Sequence, residues 1–264
     1  MGEAVVTGNG INFHGGPVMK GNPVPFYLIW YGNWNGTGSN TAATQQLVEH
    51  FVSTLGGTPY EQVLTTYGDS TGNASGNVSL GGSINVFSST NLSDSSLQTT
   101  VSNVLNSGTL PRNSNGIYFV ISSSNINETS GFCTQYCGFH THATLGGVDI
   151  KYAFIGNPDR CPSGCEVQGP GPNGTLGSDG ADGIVFLLAG REFDTIADPD
   201  LNTWFDGSGQ EPAEKCKGML GMVLNCGPGT SCTSGKYNVC FGGNCWLLPE
   251  VWENANGGKC VLHL

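Results

Sequence analysis

GFCTQYCGFHTHATLGGVDIKYAFIGNPDRCPSGC, residues Gly131–Cys165, is the stretch around which the chain is organised. Two C-x3-C pairs, Cys133/Cys137 and Cys161/Cys165, bracket Val148–Ile155. VDIKYAFI is dense enough in apolar and β-branched residues to predict a strand covered on at least one face. The cysteine pairs are placed to staple the two ends of that strand to neighbouring elements. His140 and His142, the one close histidine pair, follow Cys137. Four cysteines and two histidines raise a zinc site, but structural zinc spacing puts the histidines three to five apart, and these are two apart. Disulfides fit the rest of the chain better.

That preference comes from composition. The 264 residues carry ten cysteines, few lysines, 42 glycines and only 11% charged side chains. An even cysteine count in such a loop-rich chain points to an oxidising compartment. Asn-x-Ser/Thr acceptors stand at Asn35, Asn73, Asn77, Asn91, Asn127 and Asn173, the first five clustered in polar loops of one half. Secretion follows as the expectation. Met1–Gly10 lacks the basic start and apolar core of a signal peptide, and Val6 breaks the myristoylation pattern. The net charge of −11 excludes a nucleic-acid partner, whose backbone demands a basic face. No run approaches the ~18 apolar residues of a membrane span.

In chain order, Met1–Pro25 reads as an extended lead-in and Phe26–Tyr31 as an interior strand. Thr41–Leu55 has Leu47, Val48, Phe51, Val52 and Leu55 at helical spacing before a Gly-Gly stop. His50 on that helix reads as solvent-facing. Pro59–Tyr67 predicts a short helix or strand, Asp69–Gly82 a polar loop and Ile84–Phe87 a short strand. Asp94–Leu105 reads as a helix capped by Ser93, and Gly116–Ser122 as a buried strand. Gln168–Gly183 is a glycine- and proline-rich loop, Ile184–Ala197 a helix, and Cys216–Cys260 a tail with little regular pattern outside Cys245–Trp252. No internal repeat or domain boundary is visible.

Several of these residues together resemble a known family. His14, Gly16–Val18, Leu28–Gly32 (LIWYG), Gly131–Cys133, Cys137-Gly138, His140, Cys161-Pro162 and Cys165 match in order. So do Pro172–Gly174 with Gly180–Gly183, and Leu247–Pro249 with Trp252 and Cys260. The chain resembles the Exordium-like, or phosphate-induced protein 1, family of extracellular plant proteins over nearly its whole length. The resemblance implies a Cys216–Cys260 bridge, because plant members keep those two cysteines and lack the four between. Cys226, Cys232, Cys240 and Cys245 then form a separate two-bridge subset of open order, and point to a more distant branch. Cys133, Cys137, Cys161 and Cys165 are expected to pair among themselves.

Arg191–Cys216 resembles a degenerate metallopeptidase pattern of distant relatives. A catalytic zinc needs three electron-pair donors, commonly two His one helical turn apart, and a general-base Glu. Aligned on Asp198-Pro199, Gly190 takes the first His position, Arg191 the base position and Asp194 the second ligand position. Shifting by one residue brings Glu192 to the base position but leaves Arg191 and Thr195 as ligands, and Arg cannot ligate a metal. A zinc hydrolase would need His140, His142 or Asp206 to rebuild the site. Asp198, Asp200, Asn202 and Asp206 mimic positions of a calcium loop, but Thr203 replaces its glycine and Gly209 its last Glu. With Asp194 these oxygen donors are the candidate calcium set, and Glu211 and Glu214 are spare donors. No Gly-x-Ser-x-Gly elbow and no phosphate loop is present. Trp30, Trp34, Trp204 and Trp246 offer either sugar stacking or core packing.

The resulting expectation is one α+β domain over residues 1–264, a mixed sheet flanked by helices and zincin-like by analogy, with a disulfide-stapled region 216–264. The expected function is a secreted, N-glycosylated, non-catalytic wall or matrix protein that contacts matrix glycans and self-assembles as a homo-oligomer or filament. The alternatives are a secreted metal-dependent hydrolase and a carbohydrate-binding module. No cofactor is expected beyond calcium.

Overall fold

Apolar side chains run without interruption through Phe26–Tyr31, and a strand that dense needs cover on both faces. The computed structural model, which describes residues 9–167, 171–173, 180–232 and 234–264, supplies that cover. Five strands form one mixed sheet: β1 (Val24–Tyr31), β2 (Val78–Val86), β3 (Ile117–Ser122), β4 (Gly138–Leu145) and β5 (Val148–Ile155). Their order is β2-β1-β3-β5-β4. The first four in that order are parallel, and β4 joins the edge antiparallel to β5.

Helices α1 (Ala42–Leu55), α2 (Asp94–Asn106) and α3 (Gly180–Ala197) flank the sheet. Alternation along each strand divides the apolar side chains between two cores. Phe26, Leu28, Trp30, Ile117, Phe119, Ile121, Ala153 and Ile155 pack with α1 and α3. Tyr27, Ile29, Tyr31, Tyr118, Val120, Ile150, Tyr152 and Phe154 pack with α2. Thr41 caps α1 by accepting from the Thr44 N–H, and Ser93 with Ser96 forms a capping box at α2. Parallel neighbours need crossover connections, which α1 and α2 supply between β1, β2 and β3. β4 and β5 need only the two-residue turn Gly146-Gly147, with φ of +57° and +80°.

That hairpin revises the stapling geometry. The start of β4 lies beside the end of β5, so Cys133–Cys161 and Cys137–Cys165 both close the same end of the strand pair. The far end is held by the glycine turn instead. Cys216–Cys260, Cys226–Cys232 and Cys240–Cys245 complete five bridges and leave no free thiol, hence no thiolate for zinc. Peptide mapping without reduction should return these five pairs. A peptide linking the Cys133–Cys165 group to the tail would contradict them.

Several local expectations are corrected. The supposed polar loop Asp69–Gly82 overlaps a strand by its last five residues, because β2 starts at Val78, and Phe87 lies beyond it. Gly138–Leu145 is a strand that its Gly, His and Thr content concealed. Gly180–Gly183 opens α3 rather than closing a loop, while residues 168–170 and 174–179 lie outside the described residues, as does 1–8. Within the lead-in, Asn12–Phe13 pairs with Trp204–Phe205. Among the described residues the tail holds three small antiparallel ladders, including Val239–Phe241 with Asn244–Trp246 and Val251–Glu253 with Lys259–Val261. The 3-10 helix Glu61–Thr66 ties this tail to α3, through Tyr60 Oη donating to the Pro249 carbonyl at 3.1 Å and Tyr67 Oη to that of Trp252. No helix among the described residues is long and apolar enough to cross a membrane.

Candidate functional site

Helix α3 is buried along most of its length, with Ile184, Val185, Leu188, Ala189, Phe193 and Ile196 in the core. Arg191, Asp194 and Asp198 then fall at i, i+3 and i+7 on another side of the helix, with Arg191 half-buried at its outer end. Asp194 is fully buried and Asp198 nearly so. Buried carboxylates need donors, and the surrounding elements provide them. The Arg191 guanidinium reaches Asp194 Oδ2 at 2.9 Å and Glu214 Oε1 at 3.2 Å. The Ala213 N–H donates to Asp194 Oδ1 at 2.7 Å. Asp198 Oδ1 accepts from the N–H groups of Asn202 and Thr203, both at 2.7 Å.

From the edge strand, His140 brings Nε2 to 2.8 and 2.9 Å from the two carboxyl oxygens of Glu211. Burial holds the imidazole neutral, lowering its pKa to about 4. Burial, with the Asp198 charge next, pushes Glu211 up to about 9, and its protonated carboxyl hydrogen-bonds Asp198. Asp194 rises to about 7, again through burial, although Arg191 opposes the shift. Burial acts to lower the Arg191 pKa, but Asp194, Glu214 and Glu211 outweigh it and the group stays charged. His140 and Glu211 are therefore a neutral hydrogen-bonded pair rather than an ion pair.

Behind this cluster lies a second one. Glu61 and Glu192 are both fully buried, and no other side chain or backbone group donates to their carboxyl oxygens among the described residues. They hydrogen-bond each other, and burial raises Glu61 to about 8 and Glu192 well above its ordinary value. One proton held between two carboxyls is the arrangement that burial and mutual repulsion demand.

A cleft of about 860 Å³ opens beside Arg191. One wall is the bridged loop around Cys137 and Cys165, and the other holds Phe186, Leu187 and Glu214. Perturbed titratable groups at a cleft are where a functional site is sought.

The five candidate calcium donors do not converge. Asp194 and Asp198 belong to the cluster above. Asp206 accepts from Lys215 Nζ at 2.9 Å and from the N–H groups of Ser208 and Gln210. Asn202 Oδ1 meets its neighbour Thr203 Oγ1 at 3.2 Å. Asp200 joins His142 and Asp149, the one group of potential metal ligands that gathers among the described residues. Lys151 already fills that place, with Nζ 2.6 Å from Asp200 Oδ1 and paired to Asp149. A zinc is no better served. His140 is the one imidazole at the cluster, its Nε2 is turned to Glu211, and Arg191 puts a fixed positive charge among the carboxylates. The residues present do not fit a catalytic zinc.

Other singled-out residues have structural roles. Trp30, Trp34, Trp204 and Trp246 are 3% exposed or less and belong to the core. His14 stacks on Phe205 with centroids 3.6 Å apart, and its Nε2 lies 3.1 Å from that residue's carbonyl oxygen. Sequence reasoning reached Arg191 and Asp194 through the resemblance to a metallopeptidase pattern, and paired Asp194 with Asp198 through helix spacing. It missed the pairing of Glu211 with His140, because 71 residues separate them and no spacing rule connects them.

The fold and site define a disulfide-stapled mixed-sheet domain whose buried carboxyl cluster closes on an internal arginine. Over residues 11–262 the chain matches the phosphate-induced protein 1 conserved region, and it belongs to that family. It is 26% identical over 245 residues to Protein EXORDIUM-like 5 of Arabidopsis thaliana, covering 80% of this chain and 65% of that protein. Against EXORDIUM-like 3 of the same plant it is 27% identical over 286 residues, covering 92% and 80%. The chain thus spans just under two thirds of EXORDIUM-like 5. No solved structure matches it.

Proposed function

We propose that this is a secreted, N-glycosylated, non-catalytic protein of a cell wall or extracellular matrix, able to self-associate. The observation that carries the non-catalytic reading is the closed hydrogen bonding around Arg191. Asp194 and Glu214 are committed to the guanidinium, and Glu211 to His140. No member of the cluster stands as a free nucleophile or an open metal position. Full oxidation of the cysteines supports an extracellular setting. The buried indoles argue against a carbohydrate-binding module built on stacking tryptophans.

Glycopeptide mass spectrometry tests the secreted, glycosylated state. Asn35, Asn73 and Asn91 are exposed and should carry glycan. Asn173 should be bare, because its Nδ2 donates to Asp182 Oδ1 at 2.8 Å and to the Cys245 carbonyl at 3.2 Å. An intact mass equal to the bare chain would contradict the proposal.

A further inference from the structure

The sheet ends in two strands with one neighbour each, β2 and β4. An unpaired strand edge is a row of N–H and C=O groups ready to pair with another strand, and proteins usually guard it with charge, proline or a covering element. β4 is guarded. His140 is buried against Glu211 there, and His142, Lys151, Asp149 and Asp200 form an ionic group over it. β2 has no such guard: from Ala74 to Ser93 the sequence holds no ionisable side chain and no proline.

The direction of its backbone groups is fixed by one hydrogen bond. The Gly32 N–H donates to the Val86 carbonyl, so Val86 faces β1. N–H and C=O of one residue point to the same side of a strand, and sides alternate. Ile84 therefore also faces β1, whereas Ser83 and Asn85 present their backbone groups outward. Both residues are exposed, and among the described residues no backbone partner meets either on that side.

We infer that β2 is the surface through which a second copy of this chain docks, by antiparallel edge-to-edge pairing about a two-fold axis at Ile84. The inference rests on the self-association included in the proposed function. In that register Ser83 of each copy faces Asn85 of the other, and four backbone hydrogen bonds form. Ile84 meets its twin on the α2 face, and Phe87, 60% exposed at the strand's end, adds apolar area. Charge selects the occupant. Copies that each carry −11 repel one another over most approaches, and the uncharged Ala74–Ser93 stretch lets them meet without opposing like charges.

Sedimentation equilibrium over a concentration series tests the pairing. Asn85→Pro removes an outward N–H without touching the internal ladder, a place where an edge strand accepts proline. Asn85→Ala loses the same side-chain contact, Gln45 Nε2 to Asn85 Oδ1 at 2.6 Å, but keeps the N–H. Asn85→Pro should weaken association at least about tenfold, while Asn85→Ala associates like the wild type. Ser83→Lys, which places charge on the exposed edge, should weaken it too and covers the case in which the proline variant misfolds. Wild-type association that neither variant weakens would overturn the assignment to β2. A wild-type chain that stays monomeric throughout would overturn self-association itself, and the docking surface with it.

Discussion

Raising the pH from about 5 to about 9 should destabilise the fold by about 3 kcal/mol or more, seen as a falling Tm and a lower urea midpoint. Glu61, Asp194 and Glu211 have folded pKa values of about 8, 7 and 9, all above their ordinary values of 4.5, 3.8 and 4.5. Burial is the leading cause in each case. The stability that goes with the protonated forms is complete below the ordinary values and is lost as pH climbs through the folded ones. His140 works in the other direction. Its folded pKa of about 4 lies below the ordinary 6.5, so its contribution is present above 6.5 and is lost as pH falls through 4. Stability should therefore peak in mild acid. A tenfold difference in proton affinity between the folded and unfolded chain is worth about 1.4 kcal/mol. Glu61 and Glu192 share a proton, so the loss is smaller than a sum over separate carboxyls. Glu61→Gln keeps a hydrogen-bond donor toward Glu192 while removing one titration, and should flatten the alkaline limb. A Tm unchanged between those pH values would show that the carboxyls are not buried as described.

Loss of Arg191 should cost about 1–3 kcal/mol at neutral pH, the penalty for buried hydrogen bonds left unmade. Asp194 has a pKa of about 7 beside the guanidinium and takes up a proton without it. Arg191→Met keeps the aliphatic bulk, so the loss reads the charge rather than a cavity. Asp194 would retain only the Ala213 N–H on Oδ1. Adding Asp194→Asn should return part of the loss, because no carboxyl then has to take up a proton in the core. Arg191→Lys should fall between, since an ammonium cannot hold Asp194 and Glu214 with a planar fork. Urea unfolding of the four proteins measures the series, and an Arg191→Met variant as stable as the wild type would show that the guanidinium is not needed.

The sheet was largely legible because its central strands are unbroken apolar runs. Val148–Ile155 is read at its observed ends, and Phe26–Tyr31 falls two residues short at the start because Val24-Pro25 looks like lead-in. The helices carry clear apolar stripes and, at α2, a serine cap. What stayed hidden was the half-polar edge. Gly138–Leu145 alternates weakly, since His140 is buried by Glu211 rather than by an apolar neighbour. In the site, helix geometry alone puts Asp194 and Asp198 on one face. The Arg191–Asp194 pair is an i, i+3 contact that helix spacing allows, but nothing local tells that Glu61 meets Glu192 across 131 positions of sequence. These partners are fixed by how the sheet, α3 and the short helix Pro212–Lys215 pack.

Arg191 supplies internally the positive charge around which Asp194 and Glu214 are arranged. Elemental analysis of the purified protein, with Tm measured before and after EDTA, tests this most directly. Far less than one zinc or other transition metal per chain is expected, with an unchanged Tm after chelation. Stoichiometric metal, with a Tm or hydrolytic activity lost to EDTA and restored on metal return, would contradict it.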